Sequence, residues 1–288
     1  MSDIEIRDLT GPIGAEVIGF DPASGVDAET GDRLRRTFDE RGVVVFRDVD
    51  LDVRTQGMLC EILGAMELTG SDAEDVEIEP ANYVSNEVPG ATAPFGRLHF
   101  HTEAMWSDEY ILVLSLYATH VESPATPTIL ASATRAYDVL PSDLKARIEG
   151  LEIVHTAGQR PRPGDGDDLL VATPELPKSR TTPIAMPHPR TGKTLLYLAE
   201  QVSHEIVGLP PEEGHELIES LFDVLYAPEN IYSHEWQPKD LVIVDNLSIQ
   251  HARPNVVADG PPRTLRKVVR PAGTISRPDR AFGYEAVK

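Results

Sequence analysis

The chain has 288 residues, of which 41% are apolar and 25% charged, and its formal net charge is −21. That length buries a full core, in one elaborated domain or two small ones. The acidic balance argues against nucleic acid and anionic membrane surfaces, which both need clustered Lys and Arg, and no apolar run reaches the length of a membrane span. Cys60 is the sole cysteine, which excludes an intrachain disulfide and a cysteine-rich zinc site. With an acidic start, Met1 to Glu5, that lacks the pattern of a signal peptide, the expected compartment is the cytosol.

In chain order, Ile4 to Ile6 and Ala15 to Phe20 read as strands around a Gly-Pro turn. Asp27 to Arg41 reads as an amphipathic helix with Leu34 and Phe38 on one face, ended by Gly42. Val43 to Phe46 is a β-branched apolar run, expected as a buried strand, and Met58 to Met66 as a second helix. Ser71 to Glu79 is an acidic stretch, read as a solvated loop or an active-site rim. Strands follow at Ile111 to Val121 and Thr128 to Ser132, then a helix containing Tyr137, Leu140 and Leu144, then a strand at Leu151 to His155. Gly158 to Arg180 is rich in Pro, Gly and Asp, and a segment this long is expected to be a lid. Thr182 to Met186 and Thr194 to Leu198 read as strands. Pro210 to Tyr226 is a helix with Leu217, Leu221 and Leu225 on one face. Ile231 to Trp236, Leu241 to Asp245 and Arg263 to Val269 close the chain as strands. Many strands without regular strand–helix alternation argue against a doubly wound parallel sheet and for a mainly β jelly-roll barrel with peripheral helices.

The chemistry concentrates in a few residues. Side chains two apart on a strand share a face, so His101 and Glu103 aim an imidazole and a carboxylate at one point. A third ligand from far along the chain, His251 just beyond the apolar run 241–244, closes a two-histidine, one-carboxylate face. Such a face leaves three positions open, as non-haem Fe(II) oxygenases require. His99 is also two residues from His101, so a cupin-like set using both histidines is the rival arrangement. Arg263 and Lys267 share a strand face with Leu265 and Val269, and cations on an apolar face call for anions. A guanidinium suits a carboxylate. Arg266 and Arg270 are expected on the opposite face.

These residues resemble the taurine dioxygenase (TauD/TfdA) family of Fe(II)- and 2-oxoglutarate-dependent oxygenases. The resemblance runs through the opening strand Gly14 to Phe20, Arg41 to Arg47, Phe100 to Glu103, Ala136 to Pro141, and Trp236 through Asp245 and Asn246 to His251. It implies one domain over residues 1–288 with a double-stranded β-helix core, to which the lid read at 158–180 belongs. It implies that His101, Glu103 and His251 hold Fe(II), and that Thr128 and Arg263 bind the distal carboxylate of 2-oxoglutarate. O2 is the remaining cosubstrate, and succinate and CO2 are released as a C–H bond of a small organic molecule is hydroxylated. Desaturation, cyclisation or carbon–heteroatom cleavage are alternatives at the same site, and a non-catalytic ligand-binding barrel is the alternative from another class. Glu103 stands where the family usually has Asp, and Lys267 where it usually has Arg. No histidine precedes His99, which argues against taurine, bound in the family through an upstream histidine. Tyr83, Asn86, Phe100, Trp106 and Lys267 are the candidate substrate contacts, and a dimer or tetramer is the expected assembly.

Overall fold

The computed structural model describes residues 4–11, 13–64, 78–108, 110–159, 161–171, 174 and 178–271. Its strands in chain order are β1 Glu5–Asp8, β2 Ala15–Ile18, β3 Val43–Phe46, β4 Tyr83–Ser85, β5 Gly96–His101, β6 Ile111–Val121, β7 Thr128–Ser132 and β8 Glu152–Thr156. They continue as β9 Ser179–Pro183, β10 Ala185–Pro187, β11 Thr194–Leu196, β12 Ser203–Ile206, β13 Ile231–His234, β14 Leu241–Asp245, β15 Ile249–Val256 and β16 Arg263–Pro271. The helices are α1 Ala28–Arg41, α2 Val53–Gly64, α3 Ala133–Val139, α4 Ser142–Ile148 and α5 Pro211–Leu225. A seven-stranded sheet runs β1-β2-β3-β14-β6-β16-β4 and a four-stranded sheet runs β13-β7-β15-β5. Only β2 and β3 pair in parallel in these two sheets. A three-stranded sheet, β12-β8-β9, and a two-stranded one, β10-β11, lie outside this pair.

The continuous apolar runs arise because the large sheet is buried on both faces. On one face Val44 and Phe46 of β3 pack with Leu34 and Phe38 of α1 and Leu59 and Leu63 of α2. On the other, Val43 and Val45 pack with Leu130, Tyr232 and Ile249 of the four-stranded sheet. The second cluster therefore fills the space between the two sheets, which is the interior of a jelly roll. Among the described residues no helix is long and apolar enough to cross a membrane.

α1 shows how local sequence sets these elements. Asp27 caps it by accepting from Thr30 N–H at 2.8 Å. Gly42 ends it at φ +72°, its N–H donating to Phe38 C=O at 2.8 Å. Several expected boundaries shift. α2 begins at Val53, earlier than Met58, while Met66 and residues 71–77 lie outside the described residues. The single helix expected through Tyr137 and Leu144 is two short helices, because Pro141 forces Leu140 to an extended ψ of 132°. β12 and β15 are strands in segments to which the sequence pattern assigns no element.

Gly42 also fixes the approach of β3 to β15. A Cβ there would lie 2.7 Å from Ile249 Cδ1 and 2.8 Å from its Cγ1, at a left-handed backbone position. Gly42→Ala is expected to destabilise the fold by about 2–4 kcal/mol, from overpacking plus left-handed strain. Urea unfolding would show this as a lower midpoint with an unchanged slope.

Candidate active site

Antiparallel pairing of β5 with β15 sets His101 opposite His251, with ring centroids 4.1 Å apart. Glu103 lies beyond the end of β5, in the turn that follows, so strand alternation is not what aims it at the histidines. Asn246 does that work. Its Oδ1 accepts from Glu103 N–H at 2.8 Å, and its Nδ2 donates to the carbonyls of Glu103 at 3.1 Å and Ile111 at 2.9 Å. Glu103 Oε1 then sits 4.0 Å from His101 Nε2 and 3.7 Å from His251 Nε2. One donor atom from each of the three residues lies within 4.8 Å of the others.

His101 and Glu103 are in the protonation states that a divalent cation requires. His101 Nδ1 lies 2.8 Å from the His99 carbonyl, which can only accept, so Nδ1 carries the proton and Nε2 presents a lone pair. Burial, reinforced by His251, pushes the His101 pKa down to about 3, which keeps the imidazole neutral. Burial alone would raise Glu103. The Lys267 ammonium and the two histidines outweigh it and hold the carboxyl well below the usual carboxylate range. Two imidazoles and one carboxylate in a buried pocket match Fe(II) with open positions.

His99 does not join them. Between the pairs His101–His251 and Leu98–Arg253, β5 places two residues, His99 and Phe100, against one on β15, Ala252. This bulge breaks the alternation that would have put His99 and His101 on one face. His99 Nε2 instead meets Asp165 at 3.0 Å. Asp165 also accepts from Arg97 at 2.8 Å and from Arg162 N–H at 2.6 Å. These bonds outweigh the upward pull of burial and hold Asp165 well below the usual range. Gln159 accepts from His99 N–H at 2.9 Å, and Arg97 forms a parallel bridge with Leu169. Residues 161–171 of the segment expected as a lid are thus strapped along the strand that carries the first histidine.

Arg263 begins β16 inside the barrel and is 3% exposed. Its Nε donates to Thr126 C=O at 2.8 Å and an Nη to Thr128 Oγ1 at 3.1 Å. Burial, with repulsion from Arg253, pushes its pKa down to about 9, which leaves it cationic at neutral pH. Thr128 Oγ1 also accepts from Trp236 Nε1 at 3.0 Å. With two donors on its oxygen, Thr128 has its own O–H left to give. A guanidinium and a hydroxyl donor therefore adjoin in a dry setting, which suits a carboxylate.

The remaining candidates spread out. Lys267 Nζ is 3.5 Å from Glu103 Oε2. Asn86 holds the entry to β16, accepting from Arg263 N–H at 2.9 Å and donating to Pro261 C=O at 3.0 Å. Phe100 stacks on Tyr226 at 4.1 Å and so joins the packing of α5 rather than the metal-ligand group. Tyr83 is the cross-strand partner of Arg266, whose side chain turns to Gln56 on the face away from Lys267. Trp106 packs against the larger core, with the Lys178 ammonium 5.9 Å from its ring. Asn246 and Trp236 escaped the sequence reading as site residues. An Asn after a buried strand signals a turn, and nothing local shows which backbone it will grip.

The family model described as taurine catabolism dioxygenase TauD, TfdA family matches residues 5–269. The (S)-phenoxypropionate/alpha-ketoglutarate-dioxygenase of Sphingobium herbicidovorans is 28% identical over 255 residues, covering 86% of this chain and 88% of that protein. The alkylsulfatase of Acinetobacter baylyi is 27% identical over 268 residues, covering 89% and 81%. A taurine dioxygenase from Burkholderia xenovorans shares the fold at TM-score 0.71 and 21% identity, over 93% of this chain and 89% of that one. AAD-2, solved with Mn(II) and N-oxalylglycine, does so at TM-score 0.72 and 22% identity, over 93% and 97%.

Asn246→Ala removes the clamp on the Glu103 backbone while leaving all three ligands. It is expected to weaken Co(II) binding about 10–100-fold, the usual range for residues that orient a ligand. Spectroscopic titration, with circular dichroism as the folding control, measures this.

Proposed function

The chain belongs to the TauD, TfdA family, and from that premise we propose that His101, Glu103 and His251 hold Fe(II) while Arg263 and Thr128 seat the distal carboxylate of 2-oxoglutarate. The enzyme is a 2-oxoglutarate-dependent dioxygenase that acts on a small organic molecule. The observation that carries the assignment is the convergence of the two imidazole nitrogens and one carboxylate oxygen within 4.8 Å. When bound, Fe(II) with 2-oxoglutarate and O2 supplies the oxidation, releasing succinate and CO2.

The protein's part is position and exclusion of water. His101 and His251 would offer ring nitrogens to the metal, and anionic Glu103 would balance part of its charge. Arg263 pairs with the cosubstrate carboxylate, and the Thr128 O–H, its oxygen engaged by Trp236 and Arg263, donates to the same group. The segment 158–180 serves as a flap, with Asp165 and Gln159 as its anchors on β5. The substrate is a small organic molecule hydroxylated at a C–H bond, and a carboxylate- or sulfate-bearing compound is the class that the named phenoxypropionate and alkylsulfatase relatives support. The alkylsulfatase relative also favours the second reading, carbon–heteroatom cleavage after hydroxylation. A cytosolic location is supported by a sole cysteine, Cys60, which is buried.

Anaerobic addition of Fe(II) and then 2-oxoglutarate to the protein is expected to produce the weak visible charge-transfer band of a chelated keto acid. His101→Ala is expected to abolish the band. Arg263→Ala is expected to require at least tenfold more 2-oxoglutarate, in line with the loss of a charged hydrogen-bond pair of about 1.5–3 kcal/mol. Iron binding without a band in the wild type would refute the cosubstrate assignment. Opening of the flap is tested by limited proteolysis: Asp165→Ala is expected to be cut faster within 158–180 than the wild type.

A further inference from the structure

The two oxygens of Glu103 face different partners. Oε1 points to the histidine pair, 3.7 Å from His251 Nε2 and 4.0 Å from His101 Nε2. Oε2 points to the ammonium of Lys267, 3.5 Å away. Both groups are buried, Glu103 at 8% exposure and Lys267 at 6%. They come from elements that do not move together in sequence. Glu103 is on the turn after β5, gripped through its backbone by Asn246. Lys267 is in the middle of β16, paired with Leu116 of β6. A buried lysine is costly without an anion, and this one meets the far oxygen of a metal-ligating side chain.

Counting coordination positions gives that contact a purpose. Three protein atoms, a keto acid chelating through two oxygens and one O2 fill a six-position metal. A carboxylate that swung both oxygens onto the metal would take a place that the chelate or O2 needs. Glutamate, with one more rotatable bond than aspartate, has the freedom to do so. We propose that Lys267 is a positioning residue that holds Oε2 of Glu103, so that the carboxylate gives the metal one oxygen and leaves the cosubstrate face open. This rests on the metal assignment above. It differs from a role for Lys267 as a direct partner of a bound anion, because it acts before any cosubstrate or substrate arrives.

The test uses the full chain with Co(II), whose visible bands report coordination number and ligand set, before and after adding 2-oxoglutarate. In Lys267→Met the bands without 2-oxoglutarate are expected to differ from wild type. Co(II) affinity is expected to stay within about threefold or to rise, since a cation beside the site is gone. The 2-oxoglutarate Kd is expected to rise about tenfold or more. Lys267→Arg, which keeps charged donors at the position, is expected to restore the wild-type bands. Lys267→Gln, which keeps a neutral donor, covers the case in which the methionine variant does not fold. Bands in Lys267→Met and Lys267→Gln identical to wild type before 2-oxoglutarate would overturn the proposal, even if cosubstrate affinity fell. Failure of the wild type to bind Co(II) would instead overturn the metal assignment itself.

Discussion

The register of one antiparallel pairing carries the site. β5 and β15 are hydrogen-bonded so that His101 faces His251, and partners in such a pair project side chains on one face about 5 Å apart. A slip of one residue would send one imidazole to the opposite face of the sheet. The register is protected from several sides. β15 is also paired with β7, His251 against Leu130. Ile249 at its start packs against Gly42 and the β3 side of the barrel. The bulge in β5 takes His99 out of line and gives it to Asp165, so of the two histidines only His101 faces His251.

Around this pair each buried charge in the barrel interior meets a polar or charged partner. Glu103 meets Lys267 and the two histidines. Arg253 spends its guanidinium on three backbone carbonyls, those of Ala93, Phe95 and Gly96. Arg263, likewise without a carboxylate among these contacts, donates to Thr126 C=O and Thr128 Oγ1. On the outer face Arg266 and Arg270 find Gln56 and Glu61, so successive cations of β16 serve the site and the α2 packing in alternation.

The same two-sidedness governs the scaffold. Because helices cover the outer face of the large sheet and the small sheet covers its inner face, β3 is wholly apolar, β14 is apolar from Leu241 to Val244, and β6 is apolar from Ile111 to Tyr117 apart from the buried Ser115. Polar residues inside the barrel are therefore informative. Thr128, Arg263, Lys267 and His251 are all under 9% exposed, and each lies on a strand that borders the interior.

Strands with apolar runs, such as 43–46, 111–121 and 241–245, were legible from sequence because both-face burial writes itself as continuous hydrophobicity. α1 was legible because Asp27 and Gly42 mark its ends chemically. The residues of the His101, Glu103 and His251 cluster were legible because His and Glu at close spacing, with a histidine beyond a buried strand, stand out in the sequence. β15 was not legible, since Ile249 to Val256 mixes apolar, charged and polar residues whose burial comes only from its neighbours. The division of labour between His99 and His101 was hidden too, because a bulge is a property of two strands. So were the grip of Asn246 on Glu103 and the meeting of Glu103 with Lys267, each joining residues more than 140 positions apart. Sequence by itself determined which chemical groups exist and which local elements carry them. Tertiary structure decided which of those groups meet, since hydrogen bonds and ion pairs between distant segments exist only once register and sheet packing place them within reach.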